Sequence, residues 1–505
     1  MKNLFILFVL MFPLFVLSQT HLDEIQNLDE TGIDCGGSSG NPCVNGKAIK
    51  AYPSAEGAGK YATGGRAGVV YKVTNCNNSG LGSLNYGMTQ ISGARIIVFQ
   101  VGCLIDKLEQ ETVITDNNIS LYAQTAPSDS GGVTLANGNY YWRGDNYICT
   151  NMRFASGDFG YKDAQGNIVD SSASLQGTAD AVGLRDVNRA IFSFNSVRYG
   201  VDENMSASHS NYITFSHNII ALALAYANHG DGNGLHSMAG IIDKSNSPGY
   251  VSHLKNYAPH NDSRNLRSSQ SVYEMINDVF YGFRGQNTFG SGQTFSAMYN
   301  HWQKRTGQDV YNGQTFAQQN DATWGFGGAV YFEGNTRNHS VNVMFDADYD
   351  TEVVASRELA FSSGPMVIWN STQVVDSVLA YAGALPRDAI DLEVIADYSN
   401  DTGHFINSQS EKGGFHPVAQ GTPWPDVDND GIDDNWESLN GLNVGLDDAM
   451  DYTLSNEYPN VELWVHDLDP RLKGTVSQPP VVASSSLIKA NRSIINGKRL
   501  KLNNY

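Results

Sequence analysis

The sequence predicts an all-β protein wound as a parallel β-helix, and three observations carry that prediction. From about Tyr52 to Asn407 the chain is a succession of short β-rich runs. Asn118–Tyr122, Asn146–Thr150, Arg189–Phe194, Asn211–Phe215, Gly249–His253 and Ser271–Met275 are examples, each bounded by Asn, Gly, Ser or Asp. Apolar residues recur two apart within them, as half-buried strands require. The runs also return at a near-constant interval: about 22 residues separate Ile191 from Ile213, Val251 from Val272 and Val272 from Phe295. Longer gaps, Ile119 to Ile148 and Ile213 to Val251, suit coils that carry insertions. Finally, asparagine sits beside the strands, where it tolerates left-handed backbone angles and bonds its own backbone at tight corners. An antiparallel sandwich would place strands every ~8–12 residues, so the longer period favours stacked coils.

Composition narrows the function. Of 505 residues, 32 are Lys or Arg and 52 Asp or Glu, a formal charge of −20. That balance argues against general binding to nucleic acid or anionic lipid. It leaves an acidic substrate open, because a local basic cleft or a bound cation outvotes the global charge. Lys2 followed by the apolar run Leu4–Leu17, with Val16-Leu17-Ser18 ahead of Gln19, reads as a signal peptide over residues 1–18. The run is interrupted by Pro13 and is too short to span a bilayer, which needs ~20 residues. A secreted or periplasmic monomer with no membrane span is expected. The compartment permits disulfides: Cys35 and Cys43 flank a flexible loop that can close locally, and Cys76, Cys103 and Cys149 leave at least one thiol unpaired.

Four further segments are expected: an N-terminal extension (19–49), the β-helix (50–416), an Asp-rich segment behind a linker marked by Pro417, Pro423 and Pro425 (417–469), and a tail (470–505). The Asp-rich segment contains a complete calcium-loop spacing. Asp426, Asp428, Asp430 and Asp434 offer carboxylates, Gly431 gives the turn, Ile432 a backbone carbonyl, and Glu437 closes the loop. This spacing curls hard oxygens round one point and predicts a structural Ca2+.

Three clusters are candidates for chemistry. His253, Lys255, His260, Arg264 and Arg267 form a cationic group within fifteen residues, with His253 and Lys255 expected on one strand face. Asp180 and the pair Asp202-Glu203 fall about one coil apart and offer carboxylates to a cation. His229 and His236 lie in a Gly-rich run too irregular for a phosphate loop.

In this order the clusters resemble the pectate lyase family, specifically the secreted bacterial branch of family 1 polysaccharide lyases. The resemblance begins at Ala55-Glu56-Gly57-Ala58-Gly59-Lys60-Tyr61 and Thr63-Gly64-Gly65-Arg66. It continues through Val70–Asn75, Gly80–Leu84, Arg95–Phe99 and Ala123–Pro127 to Val201-Asp202-Glu203-Asn204-Met205-Ser206 and His260-Asn261-Asp262-Ser263-Arg264-Asn265-Leu266-Arg267. It implies a right-handed parallel β-helix that cleaves an acidic polysaccharide or oligosaccharide by β-elimination. Arg264 matches the family's base; Lys255 and His260 are alternative bases, and Arg267, His236, His229 and Asn261 would contact the sugar. Two departures stand out. Ser193 falls where the family carries an aspartate that ligates the catalytic calcium, which implies a weakened groove site at Asp180, Asp202 and Glu203. Leu266 replaces a proline.

The implied chemistry removes the C5 proton, α to the uronate carboxylate, and expels the group on C4. Since that proton is very weakly acidic, a cation must neutralise the carboxylate. A dehydratase expelling water from a terminal uronate, and a non-catalytic glycan-binding β-helix, are the competing readings. A glycosidase needs paired carboxylates across a groove, and Asp202 and Glu203 as strand neighbours would face opposite ways.

Overall fold

The computed structural model describes residues 20–158, 180–225, 236–243, 249–268, 272–285, 287–290, 294–308, 316–319, 328–338 and 352–474. Its strands pair in parallel within an eleven-stranded and a fifteen-stranded sheet. A complete coil contributes three strands, as Asn188–Ser193, Ser196–Arg198 and Met205–Ser208 do. The first joins the eleven-stranded sheet and the other two the fifteen-stranded one. Those two faces are continuous because the long strand Val133–Trp142 pairs Met152–Ala155 along its first half and Val182–Arg185 along its second. The result is a parallel β-helix with a three-faced wall.

Inside the wall, Ile97, Phe99, Leu121, Cys149, Phe154, Leu184, Phe192, Val197, Phe215, Tyr273, Phe280, Phe295 and Trp302 pack in one buried cluster. Strand partners sit one residue away from the pairs that apolar spacing suggests. Ile191 stacks on Thr214, Val251 on Tyr273 and Val272 on Thr294. The reason is burial on both faces: strands such as Ile119–Tyr122 and Tyr147–Thr150 are buried throughout, so alternation does not specify register.

Outside the wall, later chain segments fold back as cladding. Helices Val374–Tyr381 and Ala389–Asn400 supply Val374, Val378, Ile390 and Val394 to a cluster with Tyr199, Ile219, Tyr257 and Tyr281. The Asp-rich segment packs as well, and the prolines before it mark no free linker. Gly102 and Gly131 donate backbone hydrogen bonds to Gln420 and Ala419, and Trp424 bonds the carbonyls of Phe99 and Thr125. Ile432, Val461, Trp464 and Val465 then cover Ile96, Val98, Ile148 and Ile191. Residues 470–474 are part of this cladding: Arg471 donates to the carbonyls of Tyr381 and Gly383. The extension is closed by the Cys35–Cys43 disulfide, Cys76 pairs with Cys103, and Cys149 is a buried thiol.

Two predictions test this packing. Asn218 accepts from the Asn195 backbone and donates to the carbonyl of Phe192 and to Asn256, all buried. Asn218→Ala strands those groups and should cost about 3 kcal/mol in urea unfolding. His466 is buried with neither ring nitrogen hydrogen-bonded. Burial, aided by Arg66 and Lys473, lowers its pKa to about 3. A base held neutral this way contributes stability above its ordinary value of 6.5 and loses it as pH falls towards 3. Thermal unfolding of His466→Phe should therefore decline less than wild type over that window; identical declines would show that His466 does not control it.

Candidate active site

The acidic and cationic clusters meet on the face built from Val182–Arg185, Met205–Ser208, Met238–Asp243 and Ser263–Ser268, consecutive strands of the fifteen-stranded sheet. Asp180 enters just before the first strand, and Asp202 and Glu203 lie in the turn before the second. Being in a turn, they do not alternate across a strand. Their carboxylates converge with that of Asp180, with ligand atoms within 4.8 Å of one another. The Glu203 backbone donates to Asp180 at 3.1 Å and Ser206 donates to its other oxygen.

Arg264 closes the group from the fourth strand. Its Nη1 pairs with Glu203 and lies 3.6 Å from Asp202 Oδ1. His236 Nε2 sits 2.8 Å from the same Asp202 oxygen. One guanidinium thus pairs with two of the three carboxylates. Burial, then repulsion by Glu203 and Asp202, pushes the Asp180 carboxyl well above the usual carboxylate range. Burial, then Asp202, raises Glu203 against the opposing pull of Arg264. Such a cluster repels a uronate chain unless a divalent cation stands between, and three convergent hard oxygens are the donors Ca2+ takes. The residues present fit the ion.

Arg264 and Arg267 share this face because their strand is irregular. Its pairing with Met238–Asp243 slips where Gly240 opposes Asn265 and Ile241 opposes Arg267. Leu266 is the extra residue, at φ 75°, and Asn265 and Leu266 turn inward while both arginines stay half-buried at the surface. In a regular strand, residues three apart point to opposite faces; the bulge re-aims them. Proline, locked near −65°, cannot occupy Leu266's conformation.

Other expected members are elsewhere. Lys255 follows its strand at a corner with φ 58°, so it does not share a face with His253. It pairs with Glu56 and lies over the Trp369 ring at 5.2 Å. His253 is buried against Asp278 at 2.7 Å. His260 is buried at the opposite corner, 2.9 Å from Asp397 beneath helix Ala389–Asn400. Burial lowers its pKa despite that carboxylate. Asn261 is fully buried: it donates to the carbonyl of Ile220 and accepts from Asn204 and the Ala223 backbone. It braces Asn204 beside Glu203, which corrects the expected sugar contact. Ser193 lies in the eleven-stranded sheet, accepting from Tyr52 and bonded to Ser216, so its missing carboxylate says nothing about the groove. His229 lies outside the described residues. Sequence reasoning missed Arg284, whose Nε pairs with Asp262 at 2.6 Å. One coil, 22 residues, separates the two, a spacing that could have revealed it.

At the calcium loop, Asp426, Asp428 and Asp430 converge, and Asp430 also converges with Glu437 and Asp448. Asp434 instead accepts from the Val427 backbone at 3.0 Å.

Comparison with known proteins finds relatives along most of the chain. The chain is 31% identical over 446 residues to a probable pectate lyase C of Neosartorya fischeri, covering 84% of this chain and 94% of that one. It is 29% identical over 437 residues to a probable pectate lyase C of Aspergillus oryzae, at 84% and 95% coverage. These relatives are fungal and lend nothing to the bacterial branch. Among solved structures, a pectate lyase bound to hexasaccharide aligns at 14% identity over 67% of this chain and 98% of that one, with a TM-score of 0.45. Jun a 1, the major cedar-pollen allergen, aligns at 15% identity over 66% and 93%, with a TM-score of 0.46. No family model matches the chain. Among the described residues, no helix is long and apolar enough to cross a membrane.

The carboxylate cluster generates one prediction. Asp180→Asn removes one of three crowded carboxyl groups, so the variant should melt at or above wild type in chelator. Calcium titration followed by calorimetry should show the groove site lost. A variant that melts far lower, or that binds as wild type, would contradict the geometry.

Proposed function

This chain belongs to the pectate lyase family, and we propose that it is an exported lyase cleaving pectate by β-elimination at the Arg264 face. The observation that carries this reading is the convergence of three carboxylates with an outward arginine on one wall of the β-helix.

An acidic polymer laid along this wall brings its carboxylate to the acidic cluster. Ca2+, when held by Asp180, Asp202 and Glu203, supplies the charge that neutralises the uronate and acidifies the C5 proton. Arg264 is the group placed to take that proton. As the C5–H bond breaks, its electron pair forms the C4=C5 double bond, the C4–O bond breaks, and the departing sugar oxygen takes a proton from water. Arg267, on the same face, positions the sugar. Arg264 pairs with Glu203 and lies 3.6 Å from Asp202. The guanidinium and a cation would compete for those same oxygens, so a filled site frees Arg264 from them to meet the sugar. His236, bonded to Asp202, orients that carboxylate. Lys255, His260 and Asn261 are given no part in the reaction. The loop at Asp426–Glu437 is read as a structural Ca2+ site.

The test follows absorbance of the new double bond on polygalacturonate, with mass spectrometry of products. Shorter chains at conserved total mass mark a lyase; loss of one water without shortening marks a dehydratase. Arg264→Ala and Arg264→Lys should lower kcat by roughly two to three orders of magnitude, since lysine keeps charge but loses the planar fork. Arg267→Ala should raise KM more than it lowers kcat. Near-normal turnover in folded Arg264→Ala would end this assignment.

A further inference from the structure

The second acidic cluster is built into the wall of the protein. Glu437, on helix Asp434–Asn440, is fully buried, and neither of its carboxylate oxygens has a hydrogen-bond partner. Asp430 and Asp448, each 5% exposed, bring ligand oxygens within 4.8 Å of it and of each other. Beside them, one oxygen each of Asp426 and Asp428 is also buried and unbonded. A buried carboxylate with no donor is costly unless it is protonated or metal-bound. Here several crowd together with oxygens to spare. The cluster attracts a hard divalent cation, and carboxylate-rich cages of this kind suit Ca2+.

Asp448 is the residue the loop spacing does not contain. It lies eleven residues beyond Glu437, and its backbone donates to Asp430 at 3.2 Å while Asn460 donates to its carboxylate at 3.3 Å. Asn460 starts the helix Asn460–Leu468, and the Val461 backbone donates to the Ala449 carbonyl next to Asp448. That helix carries Val461, Trp464 and Val465 onto the flank of the β-helix. At the other side, Lys72 of the edge strand Val69–Val73 pairs with Asp426. Gly431, at φ 97°, leaves room for Val70, where a Cβ would come within 2.4 Å of it. The acidic oxygens therefore gather three pieces of cladding at the edge of the first coil.

We propose that Asp448 completes a Ca2+ site with Asp430 and Glu437, and that occupancy of this site holds residues 424–474 against the β-helix. The proposal rests on the structural reading of the loop and adds a ligand from outside it. It makes the ion a clip for the enzyme's wall; the segment is no detachable appendage.

The test uses the full chain carrying Asp180→Asn, so that the groove cluster does not contribute. Thermal unfolding and hydrogen exchange over residues 424–474 are followed in chelator and through a calcium titration. Calcium should raise the melting temperature by several degrees and slow exchange in this segment, as binding to the folded state alone requires. Asp448→Asn and Glu437→Gln should shift the titration midpoint by about tenfold or more. Asp447→Asn, at the exposed neighbouring carboxylate, should titrate as the parent. Equal stability and exchange with and without calcium would overturn the proposal and mark Glu437 as a buried neutral acid. A parental midpoint in Asp448→Asn would overturn Asp448 as a ligand. Neither outcome touches the Arg264 assignment, which is judged on product formation.

Discussion

One run of side-chain amides makes the coils stackable. In a β-helix each strand bonds the coil above and below, but the backbone at a tight corner has no strand to pair with, and inside the wall no water replaces it. Here Asn195, Asn218, Asn256, Asp278, Asn300 and Asn335 occupy the same corner of successive coils. The backbone of each donates to the side-chain oxygen of the next at 2.7–2.9 Å. Buried amides also bond one another along the run, as Asn195 does with Asn218 and Asn218 with Asn256. Every corner then repeats the same backbone angles, which carries the same strand phase into each face.

That repeat fixes where neighbouring side chains point. The residue before each ladder position takes a left-handed backbone: Phe194, His217, Lys255, Asn277 and Tyr299 lie at φ 51–60°. Such conformations cost bulky residues about 1–3 kcal/mol each and persist where surroundings over-determine them. The ladder and the cladding supply that determination, with Phe194 stacked on His217 at 4.6 Å and Trp369 edge-on to His217. Lys255 is one member of this outer column, so its distance from the sugar-facing wall follows from its position in the repeat.

The legibility of the sequence divides along the same line. Periodicity and corner asparagines revealed the coil, because both are imposed on every turn. Register was lost by one residue, since doubly buried strands carry no alternation to read. The acidic and arginine clusters were legible as Asp180, Asp202-Glu203 and Arg264 because their spacing follows the coil. Lys255, His260 and Asn261 were misread for the opposite reason: a cation or amide near a motif looks the same whether it faces the groove or serves a corner, and corner geometry depends on φ, which composition does not reveal. The packed Asp-rich segment was hidden too, because its prolines look like a linker while Trp424, Ile432 and Trp464 find partners more than 200 residues earlier.

The irregular strand Ser263–Ser268 shows how a repetitive wall acquires a site. A perfect repeat would send Arg264 and Arg267 to opposite faces and bury a charge in the apolar interior. One inserted residue, Leu266, breaks phase only locally: the next coil pairs again at Arg267 with Thr288. The wall therefore gains two adjacent outward arginines at the cost of one left-handed leucine and a left-handed Arg264 at φ 44°. The guanidinium so placed meets carboxylates presented by a turn two strands away, at Asp202 and Glu203. Neither half of this arrangement needs a departure from the ladder. The interior keeps its period, and the chemistry occupies the turns and the bulge, where the backbone is free of it.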